Sequence, residues 1–175
     1  RARIVPGVSL DLLGLVDACE IDLAVLIRPP FAVPSDLEWR TLVAEPFVLL
    51  VPAAVPGDDW RALLAHQPFI RYDRRSFGGR RVDQFLRDQR ITPHDVIELD
   101  ELQGMTQLVA RGQGVALAPQ TAAQATWPPG TRAISLGDAT FYREIGLTER
   151  PRHSRQPIAG RLADCIDEAA RAERT

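Results

Sequence analysis

Apolar positions along the chain follow two rhythms. Short apolar runs recur at Ile21–Ile27 (broken only by Asp22), Phe47–Val51, Phe69–Tyr72, Val96–Leu99, Val115–Leu117, Ala133–Leu136 and Arg143–Thr148. Runs of this length, closed by proline, glycine or polar residues, predict strands. Between them apolar residues recur at helical spacing. Leu12, Leu13, Val16 and Cys19 form one such set, and Val82, Phe85 and Leu86 another, in a helix over Arg80–Arg90. A third stripe, Leu162, Cys165, Ile166 and Ala169, predicts a helix from Pro157 to Ala172 with that stripe as its core face. Shorter helices are expected at Trp60–Ala65 and Gln103–Arg111. Strands alternating with helices predict α/β organisation around a largely parallel sheet. The nearly continuous run at 21–27 predicts a strand covered on both faces.

Local punctuation sets the boundaries. Arg3–Val5 is expected to be a short strand stopped by Pro6 and Gly7, and Ser9 to cap the first helix, with Asp11 in its first turn. Pro29 and Pro30 end the next strand, and residues 31–41 are expected to form a polar loop. Asp58 or Asp59 caps the helix at Trp60. Asp73–Gly79 is expected to be a loop leading into a helix, Gly112 and Gly114 end the fourth helix, and Pro119 stops the strand after it.

Composition narrows the function classes. A chain of 175 residues, 45% hydrophobic, is long enough for one domain or two small lobes. Its 21 basic residues are all arginine, against 23 acidic ones, for a net charge of −2. Without a basic block this stretch is not expected to grip nucleic acid itself. The exclusive use of arginine reads as genomic composition. Cys19 and Cys165 lie far apart with no metal spacing, so a reduced pair and no metal are expected. No apolar run reaches the roughly 20 residues of a membrane helix, and the start carries no signal-peptide pattern. The chain opens on Arg1 rather than methionine, which reads as a fragment or processed product. The histidines, His66, His94 and His153, fall in expected loops beside no evident nucleophile. No phosphate-loop, dinucleotide or zinc-protease motif is present. The expectation is a binder, not an enzyme, with no cofactor.

Several residues are candidates for binding chemistry. Arg74–Gly79 precedes a helix, where free N–H groups and the macrodipole favour an anion. Ser76 could donate a hydroxyl there, beside Phe77, and two glycines would let a ligand approach; an ordinary loop with solvated arginines is the competing reading. Arg28, at the end of a strand, suits a carboxylate, or alternatively a surface salt bridge to Glu45 or Asp36. Arg71 and Tyr72 close a strand, and alternation puts only one of them towards a ligand.

Four segments, in order, resemble the LysR family of transcriptional regulators. They are Gly7–Val25, containing Cys19-Glu20-Ile21-Asp22-Leu23-Ala24; Leu42–Pro52; Gln67–Tyr72; and Met105–Pro119, containing Leu108-Val109-Ala110-Arg111-Gly112-Gln113-Gly114-Val115-Ala116-Leu117. Cys19 stands where the family usually has glycine. The resemblance is to the effector-binding domain and covers nearly the whole chain. It implies two Rossmann-like lobes joined by two crossover strands, similar to type 2 periplasmic binding proteins. Lobe one would be residues 1–53 plus 144–175, without its first strand and helix, and lobe two residues 54–143. A small molecule, a carboxylate by preference, would bind in the cleft between the lobes. The implied contacts add Thr41, beside Arg40, and Pro119, Gln120 and Thr121 to Arg28, Arg71, Tyr72, Ser76 and Phe77. DNA would be met only through an N-terminal helix-turn-helix outside this chain, in a cytoplasmic homodimer or tetramer with no membrane partner. The helix Gln103–Arg111 and the strand Arg3–Val5 are the implied dimer faces, with pairing weakened in this chain. The alternatives are a solute-binding protein for transport, or an enzyme on the same fold.

Overall fold

The computed structural model describes residues 2–121, 126–151 and 157–172. In chain order the elements are α1 (Ser9–Asp17), β1 (Leu23–Ile27), β2 (Glu38–Pro52), α2 (Trp60–His66), β3 (Pro68–Tyr72), α3 (Phe77–Asp88), β4 (His94–Leu99), α4 (Leu102–Ala110), β5 (Ala116–Pro119), β6 (Thr131–Ile134), β7 (Tyr142–Glu149) and α5 (Pro157–Ala172). A 3-10 turn, Gly137–Ala139, precedes β7. The chain divides into two compact units, Arg1–Ala44 with Glu144–Thr175, and Glu45–Arg143. Both β2 and β7 carry the chain from one unit into the other.

In the first unit β1 pairs antiparallel with β7, Leu23 opposite Glu149 and Ile27 opposite Ile145. β7 in turn lies beside β2. Strand alternation gives this small sheet two apolar faces. α1 covers one, burying Leu13 and Val16 against Ala24, Leu26 and Leu37. α5 covers the other, where Ala163 meets Leu42 and Leu147.

Several expectations change here. β1 buries Ala24 and Leu26 but leaves Val25 42% exposed, so it is not covered on both faces. Arg3–Val5 forms no strand, since no described strand pairs with it. Ser9 is the first helical residue rather than the cap, and its Oγ accepts from Ile27 N at 3.1 Å, tying α1 to the end of β1. Residues 38–41, expected in a loop, already belong to β2; their polarity reflects exposure along the strand. In α5 the buried face is Ala159, Gly160, Ala163 and Asp167, whereas Leu162 and Cys165 of the expected core stripe are exposed. Small residues let the helix lie close to the sheet, and that closeness outweighs the larger side chains.

The second unit has one continuous core. The latter half of β2 is antiparallel to β5 (Phe47 opposite Pro119) and to β6 (Leu49 opposite Ile134). β3 runs parallel to β4, and hydrogen bonds from Ile70 N to Val115 O and from Val115 N to Pro68 O tie β3 to the start of β5. The expected largely parallel sheet is thus mixed: β3 and β4 form a parallel ladder, whereas β1 with β7, and β2 with β5 and β6, pair antiparallel. Phe85, Phe141 and Phe47 stack in series, with successive ring centroids 4.3 Å apart. Asp59 caps α2, accepting from the Arg61 and Ala62 amides, as the turn chemistry requires. Of the histidines, His66 ends α2 and His94 opens β4, while His153 lies outside the described residues.

Candidate functional site

In the first unit, polar groups from three strands meet around Glu144. Arg28, just past β1, donates from Nη1 to Glu144 Oε2 at 2.7 Å. Thr41 Oγ1 on β2 donates to the same oxygen at 2.9 Å and accepts from Trp39 Nε1 at 3.0 Å. The Arg28 guanidinium lies 5.9 Å from the Trp39 ring centroid. Arg28 and Thr41, both expected ligand contacts, are therefore brought together. The salt-bridge partner is Glu144, not Glu45 or Asp36. Arg28 spends one of its nitrogens on this pair, and its side chain is 52% exposed. The Nε/Nη2 edge, which has the geometry for a bidentate carboxylate, stays open.

In the second unit, the expected anion loop has a different construction. α3 begins at Phe77, not Arg80, so both glycines lie in its first turn and Ser76 is its cap. The Ser76 hydroxyl donates to Asp73 O at 2.8 Å and accepts from Gly79 N at 3.0 Å. Its proton is therefore committed to the chain rather than offered to a ligand. The glycines serve the same packing. A Cβ at Gly78 would come 2.4 Å from the Tyr72 ring, and one at Gly79 1.8 Å from the Asp73 carbonyl oxygen. Phe77 is 2% exposed, and its ring belongs to the core.

The arginines of this region are met by carboxylates. Arg71 is buried, held by Asp83 at 2.8 Å and Asp95 at 2.9 Å, and stacked over Phe69. Arg74 pairs with Glu98 at 2.7 Å and also with Asp95. Arg75 pairs with Asp73 at 3.1 Å, and the side-chain hydrogen bond from Arg75 holds the Asp73 carboxyl below its ordinary range. Arg71 is thus a structural ion-pair centre. Of the two residues closing β3, Tyr72 is the one that reaches polar company. Its hydroxyl accepts from Arg143 Nη1 at 3.2 Å, and Arg143 Nε donates to Glu45 Oε2 at 2.6 Å. Burial pushes the Tyr72 phenol up, against the pull of the Arg143 charge. Asp100 is likewise pushed up by burial.

Beyond β5, Pro119 is buried in the ladder opposite Phe47 and offers little to a ligand. Gln120 is exposed, its backbone N bonded to Pro46 O at 2.8 Å and its side chain uncommitted; Thr121 follows, half-buried. Sequence reasoning missed Glu144, Trp39, Glu45 and Arg143. Only their position on β2 and β7, the expected crossover segments, could have pointed to them.

Two α/β units sharing two long strands, with polar groups gathered at strand ends, define a ligand-binding module of the periplasmic-binding-protein-like class. The family profile of the LysR substrate binding domain matches residues 1–171, and the chain belongs to that family. Solved structures agree in fold. The effector-binding domain of QuiR in complex with shikimate superposes with a TM-score of 0.79 at 19% identity, covering 95% of this chain and 79% of that one. The bromide-bound regulatory domain of HypT from Salmonella typhimurium gives 0.77 at 12% identity, with 94% and 80% coverage. The CcmR regulatory domain of Synechocystis PCC6803 in complex with 2-PG gives 0.77 at 15%, with 93% and 80%. No curated protein sequence matches the chain. Among the described residues no helix is long and apolar enough to cross a membrane.

Proposed function

We propose that this LysR effector-binding domain senses a small organic acid and reports it to DNA through a helix-turn-helix elsewhere in a cytoplasmic, oligomeric regulator. The observation that carries the carboxylate class is the open Nε/Nη2 edge of Arg28, oriented by Glu144 and flanked by Thr41 and Trp39. A carboxylate there gains two charge-assisted hydrogen bonds without displacing Glu144. Taken by itself, the second unit offers the polar groups of Tyr72, Gln120 and Thr121, set in a frame that Arg71, Phe77, Ser76 and Pro119 hold. Shikimate in the QuiR domain is itself a carboxylate, which makes it a suitable first probe. The domain works by binding rather than turnover: ligand affinity that differs between two conformations shifts their populations. In that scheme the Glu144 carboxylate orients Arg28 and is not a catalytic base.

Titration of a small-carboxylate panel, shikimate included, followed by Trp39 fluorescence and calorimetry, tests this reading. Arg28→Ala should weaken binding about 10- to 100-fold, the equivalent of roughly 1.5–3 kcal/mol for charged hydrogen bonds. Binding that Arg28→Ala leaves unchanged removes the assignment, and turnover of a bound acid would favour an enzyme.

A further inference from the structure

Arg28 is a long side chain, about half exposed, and a single surface ion pair does little to fix such a group. A chain of hydrogen bonds inside the first unit does more. Trp39 Nε1 donates to Thr41 Oγ1, Thr41 Oγ1 donates to Glu144 Oε2, and Arg28 Nη1 donates to that same oxygen, over 3.0, 2.9 and 2.7 Å. Donor chemistry gives this chain one direction. An indole nitrogen only donates, so Thr41 Oγ1 must accept from it. An ionised carboxylate only accepts, so the single threonine proton goes to Glu144. Thr41 then has no proton left for a ligand.

The far end of the chain is anchored in the core. Trp39 packs against the cluster of Leu13, Val16, Ala24, Leu26 and Leu37. Its ring lies against the backbone of Gly146 on β7. A Cβ there would come 2.2 Å from Trp39 Cζ2 and 2.8 Å from the Arg40 carbonyl oxygen, so the indole takes this place only over glycine. Glu144 stands two residues from Gly146 and projects from the same face of β7. The Arg28 guanidinium, 5.9 Å from the Trp39 ring centroid, also gains a cation–π contact. An indole seated on the core thereby fixes an exposed arginine.

We infer that Trp39 and Gly146 are positioning residues for the carboxylate site proposed at Arg28, the reading on which this inference rests. The indole, admitted by the glycine, orients Thr41 and Glu144 and presents the Nε/Nη2 edge of Arg28 before a ligand arrives. Thr41 acts through Glu144 rather than on the ligand. Such preorganisation raises affinity by reducing the side-chain freedom lost on binding.

Nitrogen-15 relaxation of the arginine Nε–H groups in the ligand-free chain, with the Arg28 signal assigned by Arg28→Lys, tests the relay. Arg75 is an internal control, because it is also ion-paired, to Asp73 at 3.1 Å, yet 91% exposed. Arg28 should be the more ordered of the two. Thr41→Val keeps the side-chain shape and removes the hydroxyl. It should drop the Arg28 order parameter into the flexible range, below about 0.6, while Thr41→Ser retains the wild-type value. Trp39→Phe should loosen Arg28 to the same extent, and the two changes together no further. A wild-type Arg28 as mobile as Arg75 overturns the inference. So does an Arg28 that neither Thr41→Val nor Trp39→Phe loosens. With shikimate as the probe, Thr41→Val should weaken binding about three- to tenfold in the wild type and not at all in Arg28→Ala. A loss that persists in Arg28→Ala makes Thr41 a direct ligand contact and contradicts the relay. An ordered Arg28 that takes no acid removes the carboxylate site and leaves the relay standing, so the two readings fail separately.

Discussion

The two units reach stability by different routes. The second gathers its large side chains into one cluster, in which Phe47, Leu49, Leu50, Leu64, Phe69, Ile70, Met105 and Leu117 are fully buried. The first divides its apolar residues between two small clusters on the two faces of a sheet. Exposed large hydrophobics follow the same division. Ile4, Val8, Leu10, Val25, Phe31, Ile158 and Leu162 lie in the first unit, against Val96 and Tyr142 in the second. A unit with shallow burial opens at lower free energy than one with a continuous core. Arg28 with Thr41 sits on the first unit, whose buried clusters are the smaller ones.

Core truncations should separate the units most. Phe47→Ala removes one end of the aromatic series from the middle of the fully buried core and should cost about 3–5 kcal/mol. Leu13→Ala, in a cluster of five buried residues that can relax around it, should cost about 2 kcal/mol, the low end for such a change. Hydrogen exchange resolved by segment checks both, and a larger loss from Leu13→Ala would reverse the ranking. Next in size is Glu45→Ala. It strands the buried Arg143 guanidinium without its partner at 2.6 Å and should cost about 3 kcal/mol in denaturant unfolding.

The Tyr72 phenol gives the second unit a pH dependence. Burial raises its folded pKa above the ordinary 10.0, so the folded state holds the proton more tightly than the unfolded chain does. Its contribution is complete below pH about 10 and is lost as pH rises through the folded value. Tyr72→Phe should flatten this alkaline loss, and a profile that Phe leaves unchanged would assign it to another group. The smallest expected effect belongs to the first unit. Cys19 sits at φ 61, a left-handed conformation that costs a side chain about 1 kcal/mol and glycine little. Cys19→Gly should therefore raise the melting temperature of that unit, and an unchanged or lower value would refute the strain argument.

Much of the fold was legible in the residues because local chemistry decides it. Asp58 or Asp59 had to cap α2, and Asp59 does; Gly112 ended α4, and the run at Phe69–Tyr72 was a strand. Two readings failed where local chemistry is silent. Leu162 and Cys165 had the periodicity of a core stripe, but periodicity does not say which of two stripes meets the sheet, and the smaller residues did. Arg3–Val5 had strand composition but no partner strand. The candidate site was half legible. Arg28 was visible as a polar residue at a strand end, and Thr41 only through the family resemblance. Glu144, which joins them, is separated from Arg28 by 116 positions and from Thr41 by 103. For Ser76 a helix cap and an anion donor have the same signature in sequence, and the cap is seen only in its bonds to Asp73 and Gly79.

The most direct test of the sensing claim is a calorimetric titration of wild type and Arg28→Ala with shikimate and related small carboxylates. Saturable binding of one acid, weakened about 10- to 100-fold in Arg28→Ala and leaving the melting temperature of the free variant within a few degrees of wild type, is the predicted result. An acid bound equally well by both proteins would contradict the account.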